Sequence, residues 1–516
     1  MANRPRLARW SMSKHQWLAL IGGISLFIWG LSGLAHIVMV LFGPQQAEFM
    51  PPMRTVDMAG AAPVEQVLAS AGIGKARAVK VVVGEDRNLL QVTETPQTPR
   101  RYFRLDDGAE LKGQDARQAE FIARHYLKER RAVAEIVHQT QFDADYPWVN
   151  RLLPVWRVRF AGDDRLTAYV HTETGSLAAV NNLTKTRLQT VFRWLHSWEW
   201  VPPQLEWLRV MVITAMVGSL AALAVTGILL LVAIRRGKRL AGSKGWHRMM
   251  GYVLALPLLM FSVSGIIHLV QAAFERPTSQ MRMSPPVDVA QARYPIERDW
   301  AEVAAGLDVA GLSLVEAPDG RPLYRLGLAQ PKGAMPKGEH DHSAHAGHAM
   351  PMGDTAIRNA RFDGVTPTGP ALYIDAATGR PWADGDKALA KALGRRFSGA
   401  PDSAITGMEI VTRFGPDYDF RNKRLPVWRI DYGTPVNATL FVDTATGVLA
   451  DRTENWQKPE RYIFSFIHKW NFLFPIGRVG LNIVVGVFVV LLLGFMAGIG
   501  LVLDRRRRRH QKPLAR

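Results

Sequence analysis

Six of the 14 histidines fall at equivalent places in the two halves of the chain: His15 with His247, His36 with His268, and His196 with His468. His15, His36, His247 and His268 lie at the ends of long apolar runs, where an ionisable side chain is costly and reads as functional. Neutral imidazole is a good iron ligand, and a low-dielectric setting favours that neutral form. Opposed imidazoles on paired helices would give bis-histidine ligation of haem iron. The chain has no Cys, which removes disulfides, thiolate-held iron–sulfur clusters and the thioether attachment of c-type haem. The expected group is therefore haem b, present twice. A single interfacial histidine reads more simply as a headgroup anchor; repetition at matched positions turns the reading towards ligation. Which histidines pair stays open. His36, His268, His196 and His468 hold two haems, or two of them hold one while the others meet substrate. A haem on His15 and His247 would complete a path across the bilayer.

A second set of ligand-type residues is clustered in one tract: His340, His342, His345, His348, Met350 and Met352, within the low-complexity insertion 331–353. Imidazole with thioether favours copper, and imidazole with carboxylate also takes zinc. The composition fits a metal-binding loop, an adventitious buffer and a plain polar insertion equally well.

These residues need long helices to hold them. Four runs are long enough to cross a hydrocarbon core of about 30 Å, at 17–42, 206–234, 249–273 and 476–503. His15 and His36 are about 31 Å apart along a helix, as are His247 and His268, and each pair returns to within about 60° of one direction. Segments 1–16, 235–248 and 504–516 are strongly basic, with Asp504 their only acid. The positive-inside rule makes them cytoplasmic and exports 43–205 and 274–475, each the size of a domain. This topology absorbs most of the formal charge of +19. The basic balance then marks orientation and contact with membrane lipid, and nucleic acid drops out as a partner.

The two halves also repeat. Leu153-Pro154-Val155-Trp156-Arg157 recurs as Leu425-Pro426-Val427-Trp428-Arg429, Ser32-Gly33 as Ser264-Gly265, and Trp198 as Trp470. The expected fold is a membrane α+β protein. Its four transmembrane helices form two parallel repeats about a pseudo-twofold axis along the membrane normal, and its two exported segments are α+β. Within those segments Val79–Val83, Trp156–Phe160 and Thr167–His171 read as strands and Ala116–Arg130 as a helix. Thr172–Gly175, Tyr373–Gly379 and Asp443–Gly447 each read as a turn closed by glycine. Phe192–His196 and Phe464–His468 read as interfacial helices. Gly22, Gly23, Gly30 and Gly33 are expected to leave room for a flat macrocycle.

Gly245-Trp246-His247-Arg248-Met249-Met250-Gly251 leading to Ser264-Gly265, with strand–turn units ending in Asp-x-x-Thr-Gly, resembles the PepSY-associated transmembrane proteins. The resemblance covers most of the chain and makes the exported segments PepSY-like. One branch of that family comprises inner-membrane ferrisiderophore reductases with b-type haem. It implies a ferric siderophore or other metal chelate as substrate, reduced in the periplasm. No dinucleotide fingerprint or Walker loop is present, so the donor would be quinol, flavin or a cytoplasmic reductase. Two other classes compete: a metal-ion transporter with histidines lining its path, and a non-catalytic sensor or anchor.

Overall fold

The computed structural model describes residues 4–233, 242–274, 282–294, 300–304, 306–328 and 371–511. The metal-ligand tract from His340 to Met352 lies outside the described residues. The chain divides into two compact units. One contains Met1–Gly43, Thr184–Arg276 and Gln457–Arg516; the other contains Pro44–Leu183 and Pro277–Trp456.

The first unit is a helical bundle with four helices long and apolar enough to cross a membrane. They are Arg4–Phe42, Glu206–Ala233, Gly242–Phe274, and Gly477–Leu491 with its continuation Ile499–Gln511. The first and third begin well before their apolar runs. Arg, Lys, Met and Trp continue a helix readily once it has started, so the basic flanks are wound into the same rods. Leu26, Leu220, Ala224, Leu254, Leu258, Leu492 and Ala497 form the core, while Trp17, Met211, Leu256 and Val490 are exposed, as a lipid-facing surface requires.

Three π-wound turns interrupt this regularity: Arg193–Ser197, Ile463–His468 and Leu492–Gly498. Such turns insert a residue into the helix and redirect the side chains on it. Two of them carry His196 and His468.

The second unit contains the sheets. One antiparallel sheet runs Val133–Gln139, Val155–Phe160, Thr167–His171, Ser176–Asn181; another runs Ile405–Val411, Val427–Tyr432, Ala438–Asp443, Val448–Glu454 and then Arg282–Met283. Helix Gln114–Leu127 covers the first with Ala119, Ile122, Ala123 and Tyr126, and helix Gly385–Ser398 covers the second with Leu389, Ala390 and Leu393. The recurrent Trp has the same task in each. The Trp156 indole donates to Asp115 at 2.8 Å and the Trp428 indole to Asp386 at 2.6 Å, and both carboxylates are buried at a helix start. Tyr102 and Tyr373 donate to the same two carboxylates, at 2.9 and 2.5 Å. Gly175, Gly379 and Gly447 have φ of 63°, 72° and 65°, the left-handed values that their turns demand.

The sequence reads 43–205 and 274–475 as two separate segments, yet a third sheet joins them. Its order is Leu372–Asp375, Pro322–Leu328, Val309–Glu316, Ala78–Val83, Asn88–Thr93, Arg101–Arg104. The central join pairs Ser313 with Lys80 and Leu314 with Val79. Local alternation identifies a strand but not its distant neighbour, so this seam was invisible in the sequence.

Candidate functional site

At one end of the bundle His15, on the first spanning helix, faces His247, on the third. Their ring centres are 6.2 Å apart and their planes are inclined at 66°. Each ring is oriented by the next spanning helix. His15 Nδ1 lies 3.2 Å from the Leu223 carbonyl and 3.2 Å from Thr226 Oγ1; His247 Nδ1 lies 3.2 Å from the Phe495 carbonyl. A carbonyl only accepts, so the proton sits on Nδ1 of both rings and Nε2 keeps its lone pair. Small residues flank the rings. A Cβ on Gly227 would lie 3.4 Å from His15 Cε1, and one on Gly500 would lie 3.8 Å from His247 Cε1.

At the opposite end the first and third spanning helices present His36 and His268, and the π turns present His196 and His468. His196 Nδ1 is 2.9 Å from Ser32 Oγ, and His468 Nδ1 is 3.0 Å from Ser264 Oγ. Each serine donates its one proton to a helix carbonyl, Ser32 to Trp29 at 3.1 Å and Ser264 to Met260 at 2.6 Å. Each hydroxyl oxygen therefore accepts from its histidine, and Nε2 is again the free lone pair. One phenylalanine sits between the imidazoles of each half. Phe192 lies 5.2 Å from His36 and 4.6 Å from His196, and Phe464 lies 3.8 Å from His268 and 4.9 Å from His468. His196 is within electrostatic reach of His36 and His268, and His468 of His196 and His268. Burial, reinforced by these neighbours, pushes the His196 and His468 imidazoles down to about 3, which keeps both in the neutral ligand form at neutral pH.

Trp198 and Trp470 follow the π turns, the second after Lys469, at φ of 53° and 55°. That conformation is uncommon for so bulky a residue. Trp198 stacks on Trp29 and Trp470 on Phe261, at 6.0 and 5.3 Å. These stacks hold the turns, and hence the two histidines, against the spanning helices. Among the described residues His268 alone of the six has a carboxylate on its ring: Glu460 Oε1 is 2.6 Å from His268 Nδ1.

The glycines act differently from expectation. A Cβ on Gly22 would come within 3.0 Å of Leu223 Cδ2, and one on Gly30 within 2.8 Å of Leu493 Cδ2. They allow helix–helix approach rather than making space for a macrocycle. Gly33 alone of the four faces open space, with no atom within 4 Å of its would-be Cβ. Among the described residues no three His, Asp or Glu converge on a point that could hold a bare metal ion.

The family model for the PepSY-associated TM region matches residues 12–393. The chain belongs to that family. The match takes in five of the paired histidines and ends before His468, whose partners mirror those of His196. No curated protein matches this PepSY-associated TM protein. Sequence reasoning singled out the six histidines but did not single out the serines, Phe192, Phe464 and Glu460 that touch them. The recurrence of Ser32-Gly33 as Ser264-Gly265 was the available signal for the serines.

Proposed function

We propose that this protein is an inner-membrane b-haem oxidoreductase that takes electrons from quinol, flavin or a cytoplasmic reductase and reduces a periplasmic ferric chelate such as a ferric siderophore. The observation that carries the reading is the His15–His247 pair. An imidazole nitrogen binds a transition-metal ion at about 2 Å and lies roughly 1 Å from its ring centre, so two imidazoles sharing one ion have centres about 6 Å apart. The pair stands at 6.2 Å, with each Nδ1 engaged by an acceptor and each Nε2 available. Haem held this way supplies one-electron transfer. The protein's own part is to fix tautomer and ring orientation from the neighbouring helix, which strengthens the ligand.

His36, His196, His268 and His468 form the second ligand set at the other end of the same helices. Two positions, one towards each membrane face, suit passage of electrons across the bilayer. The basic segments orient the His15–His247 end and both termini towards the cytoplasm. Matching contacts in the two halves, serine to histidine, histidine to phenylalanine and indole to buried aspartate, support a duplication about an axis along the membrane normal. Imidazoles arranged as pairs favour haem over the bare-cation site that a metal transporter would need. Ferric iron is bound tightly by hard oxygen donors, and its reduction to ferrous iron weakens that grip and frees the metal.

The test is an oxidised and a dithionite-reduced absorption spectrum of the detergent-purified protein. A Soret band that shifts on reduction, with an α-band typical of bis-imidazole iron, is expected; a colourless protein overturns the proposal. Ser32→Ala or Ser264→Ala should leave the band in place but weaken haem retention by about 10- to 100-fold, since each removes the acceptor that orients one imidazole. Haem transfer to apomyoglobin measures it.

A further inference from the structure

The four imidazoles at the end of the bundle away from His15 and His247 are anchored unequally. His196 and His468 each donate to a serine hydroxyl, whereas the His36 ring has no hydrogen bond among the described residues. His268 meets a carboxylate, with Glu460 Oε1 2.6 Å from its Nδ1. The difference comes from one exchange on one helix face. Glu460, Phe464 and His468 follow one another at intervals of four, and the first half carries Leu188, Phe192 and His196 at the same spacing. Residues four apart lie on one side of a helix. Phe464 touches His268 and His468 just as Phe192 touches His36 and His196. Of the three positions only the first differs in kind, a carboxylate for an isobutyl group.

The carboxylate is held in place. It belongs to helix Lys458–Tyr462, which runs into the π turn. A second bond, from Gln271 Nε2 to the Gln457 carbonyl at 3.2 Å, fixes the start of that helix against the third spanning helix. Lys458 and Arg461 flank Glu460 in the chain, but among the described residues its carboxylate has no hydrogen bond or ion pair except with His268. The Glu460 side chain is 10 % exposed and that of His268 is 45 % exposed. The acceptor is thus buried behind a ring whose other side is open. A carboxylate accepts, so Nδ1 carries the proton and Nε2 is left for iron.

We propose that Glu460 is a positioning residue that acts through His268 to lower the reduction potential of the haem held at this end of the bundle. The proposal rests on the haem reading above. A carboxylate drawing on Nδ1–H moves electron density towards Nε2 and makes the imidazole a stronger donor. The bond is charge-assisted and partly buried, which strengthens it. Ferric haem carries one more positive charge than ferrous haem, so the stronger donor favours the ferric state. That direction suits the substrate class. Hard oxygen donors hold ferric iron more tightly than ferrous, so such a chelate takes up an electron reluctantly and needs a low-potential donor. Each chelate reduced takes one electron from one ferrous haem, which becomes ferric.

The experiment is a redox titration of the detergent-purified full-length protein, followed at the α-band and by electron paramagnetic resonance of the ferric haems. Glu460→Gln keeps an acceptor of the same shape without the charge, and Glu460→Leu matches the first half. In both, one haem is expected to lose about tenfold in its preference for the ferric state, a rise of about 59 mV for a one-electron couple. The g values of that haem should spread as its imidazole becomes a weaker donor. The haem on His15 and His247 should keep its potential, and Glu460→Gln should keep the haem content of the wild type. Unchanged potentials in Glu460→Gln with its haem bound overturn the proposal and leave the haem reading intact. So does a shift shared equally by every haem. Loss of one haem from Glu460→Gln overturns it too, since Glu460 would then hold the haem rather than tune it. A wild type that binds no haem at all removes both readings.

Discussion

If the proposed haem reading holds, the double variant His15→Ala/His247→Ala is expected to lose one haem equivalent completely while the set at the other end keeps its own. The proposed chelate reduction is then expected to fall to background. The two rings face each other at the separation that one shared ion requires, and no other described histidine is paired with them. Either single variant removes one of the two imidazoles that would hold the haem and should change its absorption spectrum or abolish its retention. Thr226→Val is the useful contrast, because it removes one of the two acceptors on His15 Nδ1 but keeps the Leu223 carbonyl, so the haem stays. Haem-to-protein ratio by pyridine haemochrome and the reduced-minus-oxidised spectrum read the outcome. An unchanged ratio in the double variant would show that this end holds no haem.

The second large effect lies in the sheet-containing unit. Glu173 is fully buried in the turn after Thr167–His171, and its carboxylate accepts from Arg424 and faces Lys80 Nζ at 3.6 Å. Asp443 completes the set by accepting from Arg424 Nη1 at 2.9 Å. Glu173→Ala leaves two buried cations facing each other with one carboxylate between them, and costs about 3–5 kcal/mol, the usual result of removing one partner from a buried pair. Glu173→Gln retains shape and some hydrogen bonding and costs less. Thermal unfolding of the full-length protein in detergent measures both.

The effect depends on pH with a definite sign. Burial alone would raise the Glu173 carboxyl, but Arg424 and Lys80 outweigh it and hold the group below its ordinary 4.5. A depressed carboxyl contributes stability that is complete above the unfolded value and is lost as pH falls below it. The gap between wild type and Glu173→Ala should therefore be full at pH 7 and narrow progressively below about pH 4.5.

How much of this was legible in the sequence follows the range of each interaction. Apolar runs fixed the four spanning helices, because bilayer thickness sets a length that can be read directly. Matched positions set His15 and His247 at one depth, since a parallel repeat puts equivalent residues there, but left the pairing open. Glu460 was not legible, since nothing near it in the chain says that its carboxylate meets His268. The π turns were hidden for a similar reason: one inserted residue leaves the apolar pattern around it intact. Gly22 and Gly30 misled because small residues serve both cofactor clearance and helix approach, and only the leucines facing them decide which. The recurrent Trp of Leu-Pro-Val-Trp-Arg marked the duplication, yet its purpose needed the buried aspartates to be seen.

The sheet that joins Ala78–Val83 to Val309–Glu316 fixes an order of events. A ribosome makes the first of these strands more than two hundred residues before the second, with two spanning helices in between. Until Val309–Glu316 arrives, one edge of Ala78–Val83 is open, and an open edge is a template for pairing with the wrong chain. Long-range pairing of this kind is slow to form. The early segment must wait as an unfinished sheet while the membrane helices are inserted, and its safe passage is a matter of timing as well as of stability.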